Sequence, residues 1–326
     1  MTQSGAVQDL EVLVVGGGPV GACVGALLAR GARQAPALRV GLLESARVAV
    51  PADDSAPDAR VLAFSRASER ILGAAGAWAG IREYASPYEH MRVWHHGVVP
   101  TSDEVLQFDA ADAGEANLGY IIEARRVTAA LMESFVSAGG RPLGGELQGV
   151  MGAAGTAGPV RVQTSAGEIS AQLIVGADGA RSAVRDAFGI GTTTHRYDQT
   201  AIVVRVVPER PHQKTAWQRF VEGGTLALLP LADGSLSIVW SLRDAHARAL
   251  LAATDTEFAA QLLEHSDGVL GALRVQGPRL AFALQRLSAD RYSRTGHWES
   301  FGRITRLRSV RQAPSAVPVT GSTQTM

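Results

Sequence analysis

The N-terminal part of the chain alternates between short apolar runs and a stretch with small residues at a helical spacing. Residues 12–15 form an unbroken apolar run, as do residues 40–43, and such runs are typical of parallel strands buried on both faces. Between them, residues 22–30 carry small side chains on one helical face, and Gly31 follows as the expected C-cap. The pattern predicts a strand, a helix and a second strand that ends at Glu44.

The middle of the chain switches between helical and strand patterns. Apolar side chains at a helical spacing predict helices over residues 65–79, with Ile71 on the apolar face, and over residues 127–138. Residues 160–164 alternate between apolar and polar side chains, and after a short turn the chain returns through residues 169–175. This pair of segments is typical of a β-hairpin.

Residues 200–241 change character, and a helix is predicted soon after them. Short turns separate four apolar segments that predict a largely antiparallel sheet: 201–207, 215–220, 226–231 and 236–241. Thr254 and Glu257 have the spacing of a capping box, which marks the start of a helix. Phe258, Leu262 and Leu263 are expected to form the apolar face of that helix.

The composition limits the classes to which the protein can belong. Apolar residues make up 46% and charged residues 19% of the 326 residues, the profile of a globular protein with a real core. The 31 basic residues balance the 31 acidic ones, so no nucleic-acid partner is expected. Cys23 is the only cysteine, which excludes an internal disulfide and a thiolate zinc site, and no metal site is predicted. We expect no secretory signal and no membrane span.

A glycine-rich motif occupies the turn between the first predicted strand and helix. Gly16, Gly18 and Gly21 are spaced as G-x-G-x-x-G, and Glu44 closes the next strand. Gly16 permits a tight turn, Gly18 lets backbone N–H groups approach a pyrophosphate, and Gly21 lets the helix pack against the strand. The helix N-terminus stabilises phosphate charge, and Glu44 can accept hydrogen bonds from ribose hydroxyls. The motif predicts a dinucleotide site, with an ordinary glycine-rich turn as the alternative.

The motif alone does not separate FAD from NAD, but two later segments do. Residues 176–182 read Gly-Ala-Asp-Gly-Ala-Arg-Ser after a predicted buried strand, so Asp178 and Gly179 form a natural strand-to-helix turn. Turns of this composition are common in proteins generally. Together with residues 58–65, Asp-Ala-Arg-Val-Leu-Ala-Phe-Ser, the segment resembles the flavin-dependent aromatic hydroxylases, the group that contains p-hydroxybenzoate hydroxylase.

Further segments narrow the resemblance to the hydroxylases of ubiquinone biosynthesis. They are Leu-Gly-Tyr-Ile-Ile-Glu at 118–123, Trp-Gln-Arg-Phe at 217–220, and Leu-Pro-Leu at 229–231 followed by Ser-Ile-Val-Trp-Ser at 237–241. The G-x-G-x-x-G motif is shared very widely, whereas the combination of these segments is much more specific. The resemblance covers residues 11–295.

The resemblance implies how this chain would hold its cofactor. In the family, the glycine loop and the ribose-binding acid bind the adenosine diphosphate of FAD, and the Asp-Gly segment lies against the pyrophosphate and is implicated in NAD(P)H binding. The implied contacts beyond the glycine motif and Glu44 are Asp178, Gly179 and Arg181 near the pyrophosphate, Arg60 near flavin or nicotinamide phosphates, and Glu123 and Arg125 near the flavin. No acid or base residue is implied, because much of the chemistry belongs to the cofactor.

The chain departs from the family pattern after Asp290. Family members carry a Gly-Asp motif there that contacts the flavin, and no Gly-Asp pair follows Asp290 in this sequence. Residues 297–326 instead contain four arginines and one acid, and end in Ser, Thr, Pro and Gly. We expect an atypical, mobile tail that reflects a truncation or an out-of-frame ending.

The implied fold class is α/β, a Rossmann-like FAD-binding domain with a β-rich substrate domain. Residues 11–90 and 118–190 are expected to form the discontinuous FAD-binding domain, and residues 91–117 and 195–285 the substrate domain. The implied activity is that of a monooxygenase that uses FAD, NAD(P)H and O2 to hydroxylate an aromatic ring of a polyprenylated phenol or quinol. Such a substrate implies a cytoplasmic enzyme at the inner face of a membrane or in a biosynthetic complex.

Two alternatives stay open at the level of the sequence. An NAD-dependent dehydrogenase would use the same glycine motif, but it leaves residues 58–65 and 176–182 unexplained. A chain without the Gly-Asp region could also be a catalytically inactive remnant of the FAD fold.

Overall fold

A computed structural model describes residues 8–31, 36–46, 58, 60–151 and 158–293. The strands in these residues form three sheets. In chain order they are β1 (Gln8–Val15), β2 (Val40–Glu44), β3 (Val61–Ser65), β4 (Ser86–Tyr88), β5 (His90–His95), β6 (Leu106–Asp109), β7 (Gly119–Glu123), β8 (Arg141–Gly144), β9 (Leu147–Met151), β10 (Val160–Thr164), β11 (Gly167–Gly176), β12 (Thr192–Pro208), β13 (Thr215–Val221), β14 (Gly224–Pro230), β15 (Leu236–Arg243) and β16 (Leu273–Ala289).

The helices lie between these strands and cover the sheets. They are α1 (Pro19–Arg30), α2 (Arg66–Ala74), α3 (Trp78–Ile81), α4 (Ala124–Ser137), α5 (Ala183–Ala187), α6 (Asp244–Ala252) and α7 (Asp255–His265), with 3-10 turns at Arg82–Tyr84 and Ala110–Ala113.

The first sheet has six strands in the order β8-β2-β1-β11-β10-β9. Strands β8, β2, β1 and β11 are parallel, and β10 and β9 continue the sheet in antiparallel pairing. The predicted apolar run of β1 is buried, because α1 and α4 cover one face of the sheet and α5 contributes to the cover of the other. Small residues let α1 and α4 approach closely: a methyl group at Gly25 would lie 3.2 Å from the Phe135 ring.

The second sheet has seven strands in the order β16-β12-β15-β14-β13-β5-β6. Its pairs are antiparallel except β13 with β5, which are parallel. Helices α6 and α7 cover one face, where Trp240 and Phe258 are completely buried and their rings make an edge contact. A third, small sheet has the order β3-β7-β4.

The sheets draw their strands from separate parts of the chain. Strands β5 and β6, within residues 90–109, join β12–β16, within residues 192–289, in the seven-stranded sheet. The strands of the first and third sheets lie within residues 8–88 and 119–176. The two-domain boundaries stay a proposal, and the predicted tail, 297–326, lies outside the described residues.

Three local predictions are wrong. The segment 65–79 is two helices, α2 and α3, because Gly76 adopts a positive φ of 79° and ends the first of them. Ile71 on α2 is 51% exposed, and Leu263 on α7 is 41% exposed, so neither lies on a buried face. The helical spacing puts both side chains at the margin of the predicted apolar stripe, and the face that is buried in the structure is narrower than that stripe.

The two neighbouring leucines of α7 give a matched test of this packing. Leu262 is completely buried in the core under the seven-stranded sheet, whereas Leu263 faces solvent. Leu262→Ala is expected to lower the free energy of unfolding by about 2–5 kcal/mol because it leaves a cavity, and Leu263→Ala by less than about 0.5 kcal/mol. Urea denaturation of both variants measures the difference, and equal losses would contradict the placement of α7.

Candidate functional site

Three neighbouring strands of the six-stranded sheet end at one edge and bring the predicted nucleotide-binding residues together. In parallel register, Val15 at the end of β1 lies beside Leu43 of β2 and Gly176 of β11. Glu44 therefore lies on one side of the glycine loop and the Ala177–Asp178 turn on the other. The carboxyl ends of strands are where open α/β sheets bind their ligands.

The glycine loop is shaped by close backbone approaches. Gly16 has a φ of 105°, and a methyl group there would lie 2.5 Å from the Ala177 carbonyl oxygen. A methyl group at Gly21 would lie only 1.9 Å from the Gly16 carbonyl oxygen. Both positions therefore require glycine for the loop to close as it does.

Gly18 differs from the other two motif glycines because it faces open space. A methyl group there would meet no atom within 4 Å among the described residues. Gly18 is the N-cap of α1, no side chain caps that terminus, and Pro19 occupies the first turn. Backbone N–H groups at a helix N-terminus carry partial positive charge, so the open surface over Gly18 suits an anionic group.

Glu44 is held against the loop by its own hydrogen bonds. Its Oε2 accepts a bond of 2.6 Å from the Gly17 N–H, and its Oε1 accepts one of 3.0 Å from the Ala46 N–H. Partial burial raises the pKa of Glu44, but these bonds, with those from Ser45, outweigh it and hold the pKa below its usual value of 4.5. The carboxylate is thus ionised at neutral pH and able to accept from hydroxyl groups of a ligand.

Gly17 is a site residue that the sequence analysis missed. A methyl group at Gly17 would lie 2.9 Å from Glu44 Cγ, so only glycine lets the carboxylate approach the loop this closely. The run of three glycines at 16–18 contained the signal, although the G-x-G-x-x-G pattern leaves the middle position free.

The Asp-Gly segment forms the turn between β11 and α5. Asp178 Oδ2 accepts a hydrogen bond of 3.1 Å from the Val184 N–H, while its Oδ1 is buried and has no hydrogen-bond partner among the described residues. Gly179 has a φ of 78°, which favours glycine. Gly179 and Arg181 are both exposed at this edge. The unpartnered oxygen is a feature that a hydroxyl donor would satisfy.

The remaining predicted residues form a second group at the start of α4. The backbone carbonyl of Arg60 accepts from the Ala124 N–H at 3.0 Å, and Val61 pairs with Glu123 across β3 and β7. Arg125 donates from Nε to Glu123 Oε2 at 3.0 Å, while the Arg60 side chain is exposed. Because β8 is parallel to β2, α4 runs back along the sheet to reach it, and its N-terminus faces the edge where α1 begins.

The lowered pKa of Glu44 gives a pH-dependent test. A carboxylate with a depressed pKa in the folded state contributes stability that is present above 4.5 and is lost as the pH falls through the lower folded value. Glu44→Gln is therefore expected to cost stability at neutral pH, and the difference from the unaltered protein should shrink as the pH falls below 4.5. Thermal or urea unfolding at several pH values measures this, and a difference independent of pH would contradict the bonding at Glu44.

Comparisons with known proteins identify the family of this chain. The family model described as FAD binding domain matches residues 9–295. Ubiquinone hydroxylase UbiL of Rhodospirillum rubrum is 31% identical over 299 residues, which cover 86% of this chain and 63% of that protein. The 3-demethoxyubiquinol 3-hydroxylase of Escherichia coli is 31% identical over 292 residues, which cover 89% of this chain and 71% of that protein.

A solved structure shows the same fold at lower identity. PqsL of Pseudomonas aeruginosa superposes with a TM-score of 0.71 at 21% identity, over 89% of this chain and 77% of that one. The match therefore covers less than two thirds of the length of UbiL, at 63%, and more than two thirds of the Escherichia coli hydroxylase and of PqsL. The α/β fold with its FAD-binding part is confirmed, and the chain belongs to the FAD binding domain family, whose members similar to it include hydroxylases of ubiquinone biosynthesis.

Proposed function

We propose that this protein is an FAD-dependent monooxygenase that hydroxylates an aromatic ring of a polyprenylated phenol or quinol in ubiquinone biosynthesis, with NAD(P)H and O2 as co-substrates. The observation that carries the proposal is the arrangement of the glycine loop, Glu44 and Asp178 at one sheet edge. The relatives of the chain include a protein named ubiquinone hydroxylase and one named 3-demethoxyubiquinol 3-hydroxylase. The chain spans 63% of the length of UbiL, so the activity of the whole relative is proposed for this chain and not assigned to it.

The residues at the sheet edge fit the adenosine diphosphate half of FAD. The open space over Gly18 and the N-terminus of α1 would take the pyrophosphate, and Glu44 would accept from ribose hydroxyls. The buried, unpartnered Oδ1 of Asp178 would accept a further hydroxyl donor. Gly16 and Gly21 would act by shape alone, because their close contacts are with the protein itself.

The exposed arginines would contribute charge around the cofactor. Arg60 and Arg181 are exposed and would be oriented by phosphate groups, and Arg125, which Glu123 holds at the start of α4, would add charge near the flavin. FAD, when bound, would provide the redox chemistry, with electrons from NAD(P)H and the inserted oxygen atom from O2. The protein's part is to bind, orient and exclude water.

The two alternatives have less support. An NAD-dependent dehydrogenase accounts for the glycine loop but not for the match to the FAD binding domain over residues 9–295. An inactive remnant would have no reason to keep Asp178, Glu44 and the glycine loop in a binding geometry.

No helix in the described residues is long and apolar enough to cross a membrane. A peripheral place at the inner face of a membrane, or in a biosynthetic complex, stays part of this proposal.

FAD binding to the full chain tests the cofactor site directly. Gly18→Ala should preserve the fold but weaken FAD binding by about tenfold or more, because its methyl group occupies the space proposed for the pyrophosphate. Gly73→Ala is the matched control, since a methyl group there also meets no described atom within 4 Å and lies on α2, away from the site. Titration followed by flavin fluorescence measures both. Equal binding by the two variants would remove the pyrophosphate assignment, and tight NAD binding without FAD binding would favour a dehydrogenase.

Oxygen labelling tests the reaction. The FAD-loaded protein is incubated with NADPH, ¹⁸O₂ and a prenylated phenol, and the product is analysed by mass spectrometry. One ¹⁸O atom per hydroxylated ring is expected, because a monooxygenase inserts one atom of O2 and reduces the other to water. NADPH oxidation that yields only hydrogen peroxide, at a rate unaffected by the phenol, would contradict the proposed activity.

A further inference from the structure

Glu123 at the start of α4 lies among three guanidinium groups. Its Oε2 is 3.0 Å from Arg125 Nε and 3.8 Å from Arg126 Nε, and its Oε1 is 3.8 Å from Arg205 Nη1. The Glu123 side chain is only 17% exposed. Both carboxylate oxygens therefore already face cations of the protein, which is the geometry of a residue that holds other side chains in place.

Arg205 reaches Glu123 from the other sheet. It lies on β12 in the seven-stranded sheet, its side chain is 8% exposed, and its Nη2 also pairs with Asp233 in the turn between β14 and β15. Glu123, by contrast, ends β7 in the small sheet beside the six-stranded one. One buried guanidinium thus joins a carboxylate of the cofactor-binding part to a carboxylate of the β-rich part.

Stability alone gives little reason to place an arginine here. Removing charges from water is costly, and well-packed apolar residues often serve as well as a buried ion pair or better. Arg205 Nε is also buried without a hydrogen-bond partner among the described residues, which adds to that cost. The guanidinium of arginine is rigid and planar, so it can pair with two carboxylates at fixed angles.

We propose that Arg205 is a positioning residue: through Glu123 it fixes the first turn of α4, and with it the guanidinium of Arg125, relative to the seven-stranded sheet. The effect on the cofactor rests on the proposed function, because Arg125 is expected near the flavin. The effect on α4 does not rest on it. Glu123 is accordingly assigned to holding Arg125 and not to touching the cofactor directly.

Arg219 provides a matched control on the same sheet. Its side chain is also 8% exposed, and it pairs with Asp267 at 2.9 Å and donates to the His265 carbonyl at 2.7 Å. These partners lie at and just after the C-terminus of α7, so Arg219 ties the sheet to its own covering helix. Arg219→Met removes a buried guanidinium of equal exposure without touching Glu123.

The test compares hydrogen exchange and FAD affinity in Arg205→Met, Arg205→Lys and Arg219→Met, each as the full chain. Without FAD, both Arg205 variants should exchange faster over residues 119–127, and Arg219→Met should not. Lysine retains the charge but lacks the fork, so Arg205→Lys separates geometry from charge even if the methionine variant folds poorly. With FAD, the Arg205 variants should bind about tenfold more weakly and Arg219→Met should bind as the unaltered protein does.

The outcomes separate this inference from the proposed function. Exchange over residues 119–127 that is the same in the Arg205 and Arg219 variants would overturn the positioning role, whether or not FAD binds. Failure of the unaltered protein to bind FAD would instead count against the proposed function and leave the exchange result to decide the role of Arg205. The loss of FAD affinity in the double variant Arg205→Met/Glu123→Gln should be smaller than the sum of the two single losses, because both changes break the connection between Arg205 and Glu123. Fully additive losses would also overturn the inference.

Discussion

The candidate site depends on the close approach of two backbones, the glycine loop after β1 and the turn after β11. The Gly16 carbonyl leaves no room for a side chain at Gly21, and Ala177 leaves none at Gly16. These contacts let α1 begin directly above the sheet edge, so its unpaired N–H groups face the space over Gly18. Glu44 and Asp178 then border the same space because their strands lie on either side of β1.

That constraint explains why the site could be predicted in part from the sequence. The positions of Gly16, Gly18, Gly21 and Glu44 at one sheet edge are set by backbone shape and strand order, which a short motif between apolar runs specifies almost completely. The capping box at Thr254 and Glu257 was equally local, and its side-chain and backbone hydrogen bonds are present. Where a few consecutive residues determine the geometry, sequence reasoning is sufficient.

The parts that escaped prediction depend on residues that are distant in sequence. From the sequence alone, Arg205 is only one position in a predicted strand, because its partners Glu123 and Asp233 are placed by tertiary structure. The 17-residue strand β16 was missed because it lies at the edge of its sheet, where polar residues interrupt the alternation. Ile71 and Leu263 show the same limit, since the width of a buried stripe is set by the neighbouring elements and not by the helix itself.

Strands β5 and β6 precede the other strands of the seven-stranded sheet by a long stretch of chain, and this order has a consequence for how the protein folds. Strand β5 pairs in parallel with β13, with His90 beside Thr215. The chain between these two strands contains β8 to β11 of the six-stranded sheet. Closing so long a loop costs entropy before the pairing repays it, which slows folding. Because β13 ends at Val221, this pairing cannot form before the ribosome has made the chain that far. The two parts of the molecule are interleaved along the chain, and no single cut in the backbone could release one of them whole.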